Sequence, residues 1–372
     1  MSIVEEQAIH LLEKARQHER TRKILAIILI SVLLVIAGKF LLDLIPRHYI
    51  LTISGGNILS QRHFLVKILQ GEAEQNHLAL EIVKTDGSLA ALELVNEGKL
   101  DLALVQGGVG GKYPNVTHVA TLSPESIHFL VKPRIKEIKD FKGVIINMGE
   151  RSEGTNVLAH QILGYSNLKA NADYVETNYS DEQLIGMRPE KLPDVVVEVS
   201  YAPSDLADYL VKKQGYQLIE MAFPPSLAKR LGWVADMKLL GYMYNIVPPV
   251  PPSDIQVVGV NLHLVANKDV NPRAILALLK TLYNPRIQNR FGNPIAEDDL
   301  LIPSGYPISK GTELYIASKE PWITQATVEK MKAVLGLLMA LFSIAAVVWK
   351  WFKTPADEKF DYDAVKDAGK NL

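Results

Sequence analysis

Three short segments carry residue types that bind anions through the backbone: Gly55-Gly56-Asn57, Thr85-Asp86-Gly87-Ser88, and Gly149–Gly154 running into Thr155 and Asn156. Small residues let a ligand approach the main chain closely. Where such a segment opens a helix, the free N–H groups and the helix dipole favour negative charge. One such loop alone is ordinarily an N-cap and a turn. Several facing a single cleft would hold a carboxylate or phosphate without a metal. Arg62 and Arg151 stand beside these loops. Their guanidinium forks suit a bidentate grip on a carboxylate, although solvation at the surface is the commoner fate of such residues.

Other chemistry is thinly represented. The chain has no cysteine, which removes disulfides, thiolate nucleophiles, thiolate metal sites and an N-terminal lipid anchor built on cysteine. Its nine histidines form neither an H-E-x-x-H motif nor a tight His-x-His pair. Glu125 and His128 are three residues apart, a spacing that lets two ligands share a helix face, but Phe129-Leu130-Val131 beside them reads as strand. No G-x-S-x-G elbow and no G-x-x-x-x-G-K phosphate loop occurs. The chain is read as a non-enzyme without cofactor or metal. A formal net charge of −1 over 372 residues leaves no electrostatic footprint for nucleic acid.

The elements that must position these loops follow one plan. Tyr49–Ser54, Leu80–Lys84 and Val144–Met148 read as strands, each leading through a small-residue loop into an amphipathic helix: one marked by Phe64, Leu65, Ile68, Leu69 and Ala73, then Leu89–Glu97 and Thr155–Leu163. Leu100–Val105 is an apolar strand running into Gln106. Val195–Glu198, Val257–Val260 and Leu262–Ala266 read as later strands. Alternation of strand and helix predicts an α/β fold with a parallel-rich sheet, and such sheets bind ligands at the carboxyl ends of their strands. Ile127–Lys132 and Gln256–Ala266 are the two places where the chain would pass between lobes, lobe 1 comprising 48–132 plus 260–320 and lobe 2 comprising 133–259. Two crossovers make a hinge, and hinged lobes close around a ligand.

Two apolar runs flank this region. Ile24–Ile45 is long enough to span a bilayer, with Lys39 and Asp43 four residues apart near its far end. Ala333–Trp349 is shorter, but Lys332 and Lys350 can snorkel, and Trp349, Trp351 and Phe352 suit a membrane interface. The expected spans are 24–45 and 331–352. Lys14, Arg16, Arg20, Arg22 and Lys23 put the N-terminal side in the cytoplasm, so both termini are expected there, with the main domain periplasmic or extracellular. Residues 1–23 read as a short cytoplasmic helix, and 353–372 as a polar, acidic, disordered tail.

On these residues the chain resembles a known family. Asp86-Gly87-Ser88 followed by Glu97 to Gln106, then Pro124-Glu125-Ser126-Ile127-His128, Asp140-Phe141-Lys142-Gly143 and Gly154-Thr155-Asn156 are similar to TAXI-type solute-binding subunits of TRAP transporters. Gly305-Tyr306-Pro307-Ile308, Gly311 and Tyr315 match that family's C-terminal segment. The resemblance implies a type II periplasmic-binding-protein-like fold, a small organic anion such as a dicarboxylate or amino acid as ligand, and permease subunits and the lipid bilayer as partners. It also implies that Ser54, Gly55, Gly56, Asn57, Gly87, Ser88, Gln106, Gly154, Thr155 and Asn156 line the cleft. Glu125 stands at the family's proline–glutamate pair, where it could support the hinge or meet an amine; the structural role is favoured. Glu153 stands where the family commonly has glycine, and a carboxylate facing inward there would repel an anion. The other use of such a cleft is ligand sensing or scaffolding without transport.

Overall fold

The structure is a computed structural model of the chain. It describes residues 48–320 apart from 59, 222–230 and 294, together with scattered helical residues between 24 and 39 and between 332 and 346. The expected N-terminal helix, most of both expected spans and the acidic tail lie outside the described residues. Among the described residues no helix is long and apolar enough to cross a membrane. The chain divides into one unit ending at Tyr315 and a second beginning at Ile316, and the sheet belongs to the first.

Alternation builds the first strand. In β1 (Tyr49–Ser54) Leu51 and Ile53 are buried while Ile50 is exposed, as successive side chains point to opposite faces. Helix α1 (Gln61–Ala73) opens on Ser60, whose Oγ accepts the His63 amide at 3.1 Å. Leu65, Ile68 and Leu69 recur at helical spacing on its buried face. The chain returns as β2 (Leu78–Ile82), parallel to β1. Helix α2 (Ser88–Asn96) starts at Gly87, whose φ of +105° suits only glycine. Strand β3 (Leu102–Gln106) then lies parallel along the other side of β1.

Two long strands join this half to the next. Strand β4 (Val116–Val131) runs antiparallel to the later strand Ile255–Asn267 over most of its length. Past it come β5 (Ile145–Asn147), α3 (Gly154–Tyr165), β6 (Val175–Thr177), α4 (Asp181–Ile185), β7 (Val195–Ser200), α5 (Asp205–Gln214), β8 (Gln217–Leu218), β9 (Val234–Leu239) and the short hairpin of β10 (Asn245–Ile246) and β11 (Pro249–Val250). The chain closes with β12 (Ile255–Asn267), α6 (Pro272–Leu282), α7 (Pro285–Phe291) and α8 (Lys310–Lys319). The main sheet has the order β2-β1-β3-β12-β4-β7-β5-β6, with β9 on β12 and β8 on β4. It is a mixed α/β sheet.

The centre of this sheet corrects the parallel expectation. β12 pairs antiparallel with β3, β4 and β9, and β4 pairs antiparallel with β7 and β8; parallel pairs remain on the flanks. Residues expected as two strands, Val257–Val260 and Leu262–Ala266, form one strand with an irregularity between them. Opposite it, Leu262 faces Leu122 while Val260 faces Glu125, so β4 carries one extra residue at Ser123-Pro124. Proline has no amide to give to a ladder, and a bulge is where a central strand tolerates it.

β4 is buried on both faces, so it reads as an apolar run instead of an alternation. Ile127, Phe129 and Val131 face one core with Phe141, Ile146 and Leu158. Leu130 faces the other, with Val196, Leu210, Tyr216 and Leu218.

Candidate functional site

The starts of several helices converge on one cavity of about 150 Å³. From the first half come Asn57, the opening of α1 at Gln61 and Arg62, and Gly87 at the start of α2. From the second come Gly149, Glu153 and Thr155 at the start of α3, Asp181 of α4, and Ser204 and Asp205 at the start of α5. Glu198 and Ser200 of β7 form part of the wall between them.

The loops are shaped by local bonding. Ser54 Oγ lies 2.8 Å from Thr85 Oγ1 and accepts the Gly56 amide at 3.1 Å, which fastens the first glycine loop to the second. A Cβ on Gly55 would stand 2.7 Å from the backbone of Arg62 and His63, so the loop folds flat against α1 only because that residue is glycine. Gly87 is pressed against the third loop in the same way, a Cβ there standing 2.8 Å from Glu153 Cα. The Asn57 side chain reaches Glu182 of α4, giving a second contact across the cleft.

Behind the cavity lies a buried polar knot. Arg62 Nε is 3.3 Å from Glu125 Oε1, with the side chains 10% and 1% exposed, and its Nη1 donates to Ser88 Oγ at 3.1 Å. Gln106 Nε2 donates to Glu125 Oε2 at 2.9 Å and to the Val199 carbonyl at 3.3 Å, while the Gln106 amide donates to Ser88 Oγ at 3.2 Å. One glutamine thus ties the first half, the crossover strand and the second half together. Burial raises the Glu125 carboxyl, and Arg62 and then Gln106 draw it back down.

Of the residues implied by the resemblance, Asn57, Gly87 and Thr155 line the cavity. Ser54, Gly55, Gly56, Ser88, Gln106 and Glu125 form the layer beneath it, through the bonds just described. Gly154 packs against Gln106, with no room for a Cβ. Asn156 faces Glu176, its Nδ2 being 3.4 Å from Oε1. Arg62, given to the surface by the sequence, is instead buried and paired, because Glu125 and Ser88 supply acceptors inside. Arg151 bonds Asn178 in an exposed position.

The cavity also carries acidic groups that the sequence reading did not place there. Glu153, Asp181 and Glu198 face the cavity. Burial raises Glu198 to about 8, with Asp181 adding to it; burial raises Glu153 to about 7, again with Asp181; and burial with Glu182 and Glu150 raises Asp181 to about 6. Glu198 Oε1 accepts from Ser200 and Ser204, whereas Oε2 is shut off from solvent and meets no donor. Helix starts that were to hold an anion already have the protein's own carboxyls beside them. The raised carboxyls of Glu198 and Glu153 hold protons near neutral pH, and the guanidinium of Arg62 is already engaged by Glu125 and Ser88. Sequence reading missed Asp181, Glu198 and Ser204 altogether. They fall in stretches without glycine loops, and only the packing of β7 and α4 brings them to the cavity.

Glu125 and His128 lie on strand β4, where residues three apart point to opposite faces. His128 turns to Tyr244, its Nε2 lying 2.7 Å from the Tyr244 Oη, and burial lowers it to about 4. Among the described residues no group of three or more histidines and carboxylates is placed to hold a metal ion.

Several solved structures are similar to the chain at low identity. The alkanesulfonate-binding protein SsuA from Xanthomonas axonopodis pv. citri, bound to MOPS, is similar at 13% identity and a TM-score of 0.39, over 80% of this chain and 93% of that one. A sulfonate-binding SsuA from Methylobacillus flagellatus KT is similar at 15% identity and a TM-score of 0.41, over 66% of this chain and 73% of that one. The effector-binding domain of QuiR in complex with shikimate is similar at 10% identity and a TM-score of 0.42, over 63% of this chain and 95% of that one. Likeness at this level says nothing about the ligand. No curated protein matches the chain. Residues 63–293, more than half of the chain and including α1, the glycine loops after it and both long strands, match the model of one family, and on that match the chain belongs to the NMT1-like family.

Proposed function

We propose that this chain is a membrane-tethered, extracytoplasmic solute-binding protein. It captures a small solute between its two halves and passes it to permease subunits of a TRAP-type transporter, as a TAXI-type receptor would. Catalysis has no part in this reading. The observation that carries it is the cavity built from helix starts of both halves, with glycine contacts that allow the halves to close. Lobe 1 corresponds to 48–132 plus 260–320 and lobe 2 to 133–259, with β4 and β12 passing between them.

Tethering is supported by the flanking residues that are described. Ile27, Leu34 and Val35 are helical and 63%, 67% and 69% exposed, and Met339 is helical and 69% exposed. Such side chains have a better solvent in hydrocarbon than in water. The N-terminal basic residues orient the tether with the binding domain outside.

The test uses the full chain in detergent or lipid discs. A bound solute at about 100 times its dissociation constant raises stability by about 2.7 kcal/mol. Small-angle scattering should show compaction by the same solute. A panel of metabolites that neither stabilises nor compacts the protein would end the receptor reading. Release of the protein from membranes by alkaline carbonate would end the tether.

A further inference from the structure

Resting on that receptor reading, we propose that the solute is a cation: a small compound carrying a protonated amine, received by Glu153, Asp181 and Glu198 in the cavity between the two halves. A cavity of about 150 Å³ is near the volume that accepts a benzene ring, which limits the solute to roughly six to eight heavy atoms.

Three observations support this. The first is the charge balance. The cavity wall holds four acidic residues, Glu153, Asp181, Glu198 and Asp205, against one guanidinium, that of Arg62, which is engaged by Glu125 and Ser88. Among the described residues no lysine or arginine lies within ion-pair distance of Glu153, Asp181 or Glu198.

The second is the acceptor without a donor. Glu198 holds one oxygen in a fork of two serine hydroxyls, which fixes its direction, and leaves Oε2 shielded from water with nothing to accept from. A buried acceptor left unmatched is costly; Oε2 has no surface open to the cavity, so an ammonium N–H meets it only once the Glu198 carboxyl turns toward the cavity. Ser204, one arm of the fork, is itself fixed by its place at the start of α5, where its Oγ also accepts the Ala207 amide at 3.1 Å. The direction is built in from β7 and α5 together.

The third is mutual repulsion. Asp181 raises both Glu153 and Glu198, and Glu150 and Glu182 press on Asp181, so these groups feel one another. Arg62 is the cation that relieves Glu153 and Asp181, and Glu125 adds to the burden on Glu198. A second positive charge in the cavity would let the acids ionise. Binding would therefore release protons.

The experiment uses the full chain in detergent, with putrescine, ethanolamine and other small primary amines against succinate and 2-oxoglutarate. Thermal shift finds the binders. Calorimetry in two buffers of different ionisation heat counts protons, at about pH 6 and about pH 8. An amine that raises the melting temperature, releases protons and binds up to about tenfold more tightly per pH unit supports the inference. Glu198→Gln should weaken that amine by about tenfold or more while the melting temperature at neutral pH is retained. Proton uptake with a bound carboxylate would overturn the cation and leave the receptor standing. No shift with any amine or acid would overturn both.

Discussion

Gly87 and Glu153 touch across the cleft so closely that a methyl group on the glycine would stand 2.8 Å from the glutamate Cα. One belongs to the first half and the other to the second. The contact is possible only because Gly87 has no side chain, and its φ of +105° demands the same.

Gly87→Ala should therefore act as a wedge. The backbone strain costs about 1–3 kcal/mol, read as a fall in denaturant midpoint. On the receptor reading proposed above, the two loops should part, seen as a larger radius of gyration that added solute no longer reduces. A variant as compact as the parent would show that the two loops do not limit closure.

Arg62 and Glu125 form a buried pair, and removing one partner strands the other. Arg62→Ala should destabilise by about 3–5 kcal/mol. Arg62→Met combined with Glu125→Leu should recover much of that, since two apolar side chains need no partner there. Urea titration of the four corners of the cycle measures it. Additive losses in the double variant would mean the pair is not coupled.

The acids of the cavity predict an inverted pH response. Burial raises Glu198 from 4.5 to about 8 and Glu153 from 4.5 to about 7. In that interval the folded protein holds protons that the unfolded chain has lost, so stability is present in mild acid and falls as pH rises through the folded values. The melting temperature of the parent should decline between about pH 5 and about pH 8, and that of Glu198→Gln should decline less. Equal slopes would refute the raised carboxyl.

Helix α8 is seated on α6 through Gly311. A Cβ there would lie 2.3 Å from Ile275 Cβ and 2.7 Å from the Pro272 carbonyl oxygen. Gly311→Ala should cost about 1–3 kcal/mol from overpacking, and adding Ile275→Ala should restore little of it, because the Ile275 Cβ and the Pro272 carbonyl stay in place. Thermal unfolding of both variants decides the matter.

Much of the local structure was legible in the residues. β1 coincides with its expected range, and the helices after the second and third small-residue loops start within one residue of where they were expected. Alternation and helical spacing are local properties, so the sequence displays them directly. Strand direction is not local. The antiparallel centre depends on β12, which reaches β4 from more than a hundred residues away. Its bulge at Ser123-Pro124 became readable only with the pairing known.

The site was half legible for the same reason. Glycine loops announce themselves by composition, and Asn57, Gly87 and Thr155 do meet at the cavity. Charge does not announce its direction. Arg62 looked like a surface cation until Glu125, sixty residues on, was placed under it. Glu153 was visible as an intruder among glycines, but Asp181 and Glu198 gain their meaning from shared burial alone.

Because β4 and β12 run from one half into the other as a paired ribbon, the halves are not beads on slack strings. A ladder of main-chain bonds resists stretching and sliding far more than it resists coiling about its own axis. On the receptor reading proposed above, opening should then follow a corkscrew path, one half rotating past the other, with the extra residue beside Pro124 as the point where the coil is softest.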